Sequence, residues 1–325
     1  MDRTQKAALL REIRLLRTGR GTRLKSLGIP VSTYYEWRKR YERGGLMALS
    51  PAPKHGRIWN RLTQVERDRI LTIARLHPDS SCRLLSVKIT DEEDFAVSES
   101  TVYRLLKSHG LITPRPLTDM PAAQEWQHKT RACDEIWQCD ATHYFVVRWG
   151  FYKQITVLDD HSRNPLAWDL KPDETAFSIS DVIEQALENA RNLGHLAKGA
   201  KPQLLSDNGS GFTAKIMDEY LDAHGIKHIF GKPYHPQTQG KIERFHRSIK
   251  ERICLLVYCS PEELKRSLDE AITRYARTPH KALSNVSPID VYLGRKEEIL
   301  RKRAEKKRLT LERRRIYNMG LEVKK

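Results

Sequence analysis

With 325 residues, 39% of them hydrophobic and 30% charged, the chain is long enough for two or three domains and too apolar for general disorder. No apolar run approaches the roughly 18 residues of a membrane span, the first residues lack a signal-peptide core, and five cysteines without a CxxC pair argue against a disulfide framework or zinc ribbon. The net charge of +17 lies wholly in the two ends: residues 1–60 carry +10 and residues 296–325 carry +7, while the 235 residues between are neutral, so a polyanion such as nucleic acid is the natural partner.

The first 47 residues read as a helix-turn-helix domain. Ala8, Leu9, Ile13, Leu15 and Leu16 follow a helical period. A short helix stops near Gly28, and Ser32 or Thr33 is expected to cap the next, with Thr33 and Glu36 as a capping box. That second helix carries Tyr34, Tyr35, Arg38 and Lys39, placed to enter a major groove. Residues 48–61 form a basic, Pro-rich linker from Ser50 to Arg57. Residues 62–112 form a second all-α helix-turn-helix domain. Its last helix starts after Ser98, carries Arg104 and stops at Gly110. This module has no net charge, so a structural role is as good a reading as DNA binding. Residues 113–132 are a further linker.

From residue 133 the pattern changes. Three strands are predicted, over Ile136 to Val147, Phe151 to Asp160 and Asn164 to Leu170, joined by hairpins. Asp159 and Asp160 are expected to shape one of the turns. A helix over Ala176 to Leu193, a buried strand Gln203 to Ser206, a helix Thr213 to His224, a strand Lys227 to Phe230 and helices Gln239 to Leu256 and Pro261 to Arg277 complete the domain, which ends near 295. The order βββαβαβαα gives a mixed sheet with helices on its faces. Residues 296–325 read as a basic tail, a charged helix with no sustained apolar face, extended or ordered only on DNA.

Three carboxylates have distinctive positions. Asp140 lies within the first strand among apolar neighbours. Asp207 stands where a buried strand meets Asn208-Gly209. On the helix after Gln239, Ile242, Phe245, Ile249 and Ile253 form a core stripe, and Glu243, Arg247 and Lys250 fall together roughly 100° away. Taken singly, each acid is explained by a turn or an ion pair. Together they suit hard divalent ions, which prefer carboxylate oxygens and act in pairs on phosphodiesters. Lys250 would hold a DNA phosphate, and Arg247 would do likewise or pair with Glu243. His235 and His246 line the same edge, with solvated histidine the commoner outcome.

Sixty-six residues separate Asp140 from Asp207 and 35 separate Asp207 from Glu243, within the text Ser206-Asp207-Asn208-Gly209 … Tyr234-His235-Pro236-Gln237-Thr238-Gln239-Gly240-Lys241-Ile242-Glu243-Arg244. This resembles the DD(35)E core of retroviral integrases and insertion-sequence transposases, and Lys250, seven positions on, matches a basic residue of bacterial members. The stretch Trp37 to Leu46 with its Pro-rich basic linker is similar to the IS3/IS481 insertion-sequence group. The zinc-binding His/Cys module of retroviral integrases is missing.

The resemblance implies an RNase H-like fold, with Asp140, Asp207 and Glu243 as catalytic ligands of two Mg²⁺ ions, or Mn²⁺ in their place. It implies a transposase that cuts transposon ends and joins the 3′-OH to target DNA, contacting DNA through Lys241, Arg244, Arg247 and Lys250 as well as the helix-turn-helix residues. A homo-oligomer on double-stranded DNA is expected, in the bacterial cytoplasm at the nucleoid, with no membrane partner and, lacking a GxxxxGK[ST] loop, no ATP. A non-catalytic DNA-binding regulator and a simple nuclease of RNase H type are the competing readings.

Overall fold

A computed structural model describes residues 2–16, 18–50, 58–112, 130–196, 201–230, 240–254 and 256–320. Residues 51–57 of the first linker, 113–129 of the second, 231–239 with His235, and 321–325 of the tail lie outside the described residues. The chain divides into two compact units, residues 1–61 with 314–325, and residues 62–313. The second helical module, expected as a separate domain, falls in one unit with the sheet.

In the first unit, α1 (Arg3–Leu15), α2 (Arg20–Ser26) and α3 (Val31–Ala48) pack around Leu10, Ile13, Leu24 and Tyr34. Asp2 and Gln5 close a capping box on α1. Gly28, just past α2, takes φ +67, the left-handed conformation that stops a helix cheaply. The expected Ser32 or Thr33 cap is corrected: α3 starts at Val31 with Pro30 at the N-cap and no side-chain cap. Proline's fixed φ initiates the helix two residues early, so Thr33 and Glu36 are already helical. The helix is kinked at Gly44–Gly45.

The second unit opens with α4 (Gln64–Leu76), α5 (Cys82–Glu92) and α6 (Glu99–Ser108). Thr63 and Glu66 form a capping box on α4, Ser81 caps α5, and Ser98 is the N-cap of α6. Ile70, Leu85, Ile89 and Val102 fill this module's own core.

Strands β1 (Ile136–Val146), β2 (Gly150–Asp159), β3 (Pro165–Lys171), β4 (Gln203–Ser206) and β5 (Lys227–Phe230) form one sheet in the order β3-β2-β1-β4-β5. The β1–β2 and β2–β3 pairs are antiparallel hairpins, and β4 and β5 run parallel to β1. One face packs under α7 (Ala176–Asn192) and α8 (Lys215–His224) through Trp137, Cys139, Val157, Ile183 and Leu204. The other packs under α9 (Gly240–Ile253) and α10 (Pro261–Arg277) through Tyr144, Leu158, Phe245 and Leu268. Along β1, odd-numbered Trp137 and Cys139 serve the first layer and even-numbered Tyr144 and Val146 the second. The topology is RNase H-like. A 3-10 turn (Lys281–Leu283) and the short α11 (Pro288–Tyr292) follow.

The tail is the charged helix expected, but it is packed rather than extended. Residues 296–319 form one helix, α12 (Lys296–Met319), and within the second unit its start packs Ile299 and Leu300 against Leu283, Val286 and Val291 while the rest docks by polar contacts. Arg303 grips both carboxylate oxygens of Asp91 at 2.6 and 2.7 Å and also donates to Asn285 O. Lys306 donates to the carbonyls of Thr90, Asp91 and Glu93, the open C-terminal end of α5. Thr310 donates its place to the second module too, accepting the Ala96 N–H at 2.9 Å. Apolar contact confined to Ile299 and Leu300 leaves no stripe along the helix to read. Among the described residues no helix is long and apolar enough to cross a membrane.

Candidate active site

The β1–β4 register pairs Gln138 with Leu205. Two residues further along lie Asp140, still within β1, and Asp207, the first residue past the end of β4, near one another because paired strands lie about 5 Å apart. The Asp140 side chain lies on the face that carries Gln138, Thr142 and Tyr144, the face under α9. The sequence builds this because β4 stops at Ser206 and the turn begins: Asp207 Oδ1 accepts the Gly209 N–H at 3.0 Å.

Glu243 comes to the same face on the first turn of α9, and the helix start is pinned from beneath. Gln138, 1% exposed, accepts the Ile242 N–H at 2.9 Å through Oε1 and donates to Asp160 Oδ1 at 2.7 Å. Asp160 also holds the Lys241 ammonium, through Oδ2 at 2.5 Å and its carbonyl at 2.9 Å. The two aspartates therefore divide their work. Asp159 shapes the turn, accepting from Ser162 and from the Asp134 N–H, whereas Asp160 anchors α9.

Burial pushes the Glu243 carboxyl above its ordinary value, and the negative charge of Asp140 adds to this; Arg247 and His246 pull the other way. Asp140 and Glu243 are thus close enough to repel. Asp140 is held at both oxygens: Oδ1 accepts the Ala141 N–H at 2.9 Å and Oδ2 lies 3.3 Å from His246 Nδ1. His246, set beside solvated histidine in the sequence reading, is buried. A fourth acid, Glu174, stands beside the Asp207 turn. A Cβ on Gly209 would lie 3.0 Å from Asp207 Oδ1 and 3.4 Å from Glu174 Oε1. The Cys139 thiol, fully enclosed, is raised by burial first and then by Asp140, Asp207 and Glu174 together.

Do these residues fit a divalent metal? Among the described residues no three His, Cys, Asp or Glu side chains form a ready-made metal cage. Mg²⁺ does not need one, since it binds through one or two carboxylates and keeps positions for water and substrate phosphate. Two carboxylates, one within β1 and one just past the end of β4, with a third on the first turn of α9 suit that chemistry.

The basic residues divide by exposure. Arg244 and Arg247 are exposed, and Lys250 lies over the Tyr144 ring, 5.6 Å from its centroid. Among the described residues none of the three is in an ion pair with a carboxylate. Lys241 is paired with Asp160, and Tyr34 is 4% exposed in the first module's core. Tyr35 and Lys39 are exposed on α3, Arg38 pairs with Glu42 at 2.8 Å, and Arg104 folds back on Ser100 O. Sequence reasoning missed Gln138, Glu174 and Thr156. Gln138 and Thr156 are polar residues at core positions of strands, and that was the available signal.

In the sequence, a mixed sheet with Asp140 in β1 and Asp207 just past β4 follows the two helical modules. Residues 131–236 and residues 224–288 each match an Integrase core domain family, and residues 33–106 match a Homeodomain-like domain. The transposase for transposon Tn552 of Staphylococcus aureus is 26% identical over 271 residues, 77% of this chain and 56% of that protein. The Gag-Pro-Pol polyprotein of Mason-Pfizer monkey virus is 40% identical over 118 residues, 36% of this chain and 6% of the polyprotein. The HTLV-2 integrase catalytic core domain in complex with magnesium has a TM-score of 0.39 at 22% identity, covering 50% of this chain and 97% of that one. The chain spans about half the length of the Tn552 transposase and a small part of the viral polyprotein. The sequence matches support a place in the transposase and integrase family.

Proposed function

We propose that the chain is a DDE transposase of the IS3/IS481 group that binds the terminal inverted repeats of an insertion sequence, cuts its ends and joins each 3′-OH to target DNA. The observation that carries this is the β1–β4 pairing, which ends at Gln138–Leu205 two residues short of Asp140 and Asp207, with Glu243 mounted on α9 next to the Gln138–Ile242 hydrogen bond.

Asp140, Asp207 and Glu243 would hold two Mg²⁺ ions, with Mn²⁺ as a substitute, supplying Lewis-acid stabilisation of the attacking and leaving oxygens. Arg244, Arg247 and Lys250, free of carboxylate ion pairs among the described residues, would bind the phosphates that flank the scissile bond. The exposed face of α3, with Tyr35, Arg38 and Lys39, would read the terminal repeat, and Arg104 of α6 would add a backbone contact. Displacement at phosphorus by water frees the 3′-OH, which then attacks a target phosphodiester, so no covalent link to protein forms. Two ends held together call for a homo-oligomer on DNA, in the cytoplasm and at the nucleoid.

The test is incubation of the protein with Mg²⁺ and labelled element ends. Nicking followed by joining is expected, and Glu243→Gln should abolish both while end binding persists. Binding without nicking would point to a regulator, and cleavage of any duplex or hybrid without joining to a simple nuclease.

A further inference from the structure

Besides Gln138 and Thr142, the layer between α9 and the sheet contains a thread of polar side chains. Tyr144 Oη lies 3.1 Å from Gln154 Oε1, Gln154 Nε2 lies 3.0 Å from Thr156 Oγ1, Thr156 Oγ1 lies 3.5 Å from His246 Nε2, and His246 Nδ1 lies 3.3 Å from Asp140 Oδ2. Gln154 and Thr156 are fully buried, and His246 and Tyr144 are 5% and 6% exposed. Buried polar threads cost stability unless each member is satisfied, so a thread that ends on a carboxylate needs a reason.

The direction of donation follows from the carboxylate end. An ionised carboxylate only accepts, so the ring nitrogen facing it, Nδ1, carries a hydrogen. A neutral imidazole protonated there presents Nε2 as an acceptor. Thr156 then directs its single hydroxyl hydrogen to Nε2 and accepts from the Gln154 amide, whose oxygen accepts from Tyr144. Every link has one donor and one acceptor in that sense.

We infer that His246 is a positioning residue for Asp140, its ring proton fixed on Nδ1 by the Tyr144–Gln154–Thr156 thread. The inference rests on the reading of Asp140 as an acid of the transferase site. With Ala141 N–H on Oδ1 and His246 on Oδ2, the carboxylate plane is held at both oxygens. A neutral donor does this without cancelling the charge, as a lysine would, and so leaves the full negative charge for a cation.

The ring proton is read directly by proton–nitrogen correlation spectroscopy of the nitrogen-labelled full chain, without metal or DNA, at a pH where histidine is neutral. His246→Asn assigns the signal by its loss. The expected result is the Nδ1–H tautomer, with population moving to Nε2–H in Thr156→Val. An Nε2–H ring or an imidazolium in the unaltered chain, or a tautomer indifferent to Thr156→Val, would overturn the inference. In end cleavage, His246→Phe should lower kcat about 10–100-fold with KM for DNA within about twofold. His246→Asn, whose amide also donates, should recover most of that loss. Equal losses in both variants, or a change in KM alone, would count against positioning. A chain that shows the Nδ1–H tautomer but cuts no DNA refutes the transposase reading and leaves the proton placement standing.

Discussion

Gln138 Oε1 accepts the backbone N–H of Ile242 across 104 residues of sequence, and this bond fixes where α9 begins over the sheet. Gln138→Leu keeps the apolar surroundings but leaves that buried N–H unpaired and removes the donor to Asp160. The expected loss is about 1–3 kcal/mol of stability, read from urea unfolding. Cleavage should fall further than stability alone accounts for, because Glu243 is the next residue along.

The turn after Asp207 has no room for a side chain at Gly211. A Cβ there would lie 2.3 Å from Glu174 O and 2.7 Å from Ile179 Cδ1, backbone and core atoms that cannot step aside. Gly211→Ala should therefore displace the Asp207 turn and reduce cleavage sharply. Gly240→Ala, with nothing within 4 Å of the added carbon, is the control and should be neutral or slightly stabilising. Equal activity of the two variants would show that the turn tolerates movement.

Acid should weaken the second unit through His280. Burial is the main cause that lowers this imidazole from 6.5 to about 4; Arg163 and Arg83 add to it and a hydrogen bond to the Tyr275 backbone opposes it. Between those two values the unfolded chain binds a proton that the folded chain refuses, so this contribution to stability is lost as pH falls from about 6.5 towards 4. Urea midpoints measured across that range should fall with pH, and the slope should flatten in His280→Asn. An unchanged slope in the variant would remove His280 from the account.

Lys306 closes the C-terminal end of α5 by donating to three of its carbonyls. Lys306→Met keeps the stem and deletes the donors. Amide hydrogen exchange over residues 85–94 should speed up, while exchange in β1 and β2 stays at the level of the unaltered chain. Exchange unchanged over residues 85–94 would mean that α12 does not brace this module.

Local chemistry explains which parts of this architecture the sequence revealed. Strand β4 and helix α10 end where Asp207 and Thr278 follow, so their limits were readable from turn and cap residues. The apolar stripe Ile242, Phe245, Ile249, Ile253 oriented α9 correctly, because a helix buries one face at a fixed period. Tertiary polar contacts were not readable. Nothing in the local text of Gln138 shows that its partner lies on a helix 104 residues on, and the docking of α12 through Arg303 and Lys306 carries no hydrophobic period. Tyr34 was assigned to DNA because it is aromatic beside cations. Its place in the three-helix core depended on α1 and α2, which local pattern does not position.

Arg303 reaches Asp91 across 212 residues. A ribosome that has already released α5 must go on to make the whole sheet and every helix that covers it before this clasp can close. Completing the second unit is therefore tied to synthesis reaching α12, with the slow loop closure that such distant partners impose. A product truncated before α12 would leave its early helices unfastened and open to proteolysis.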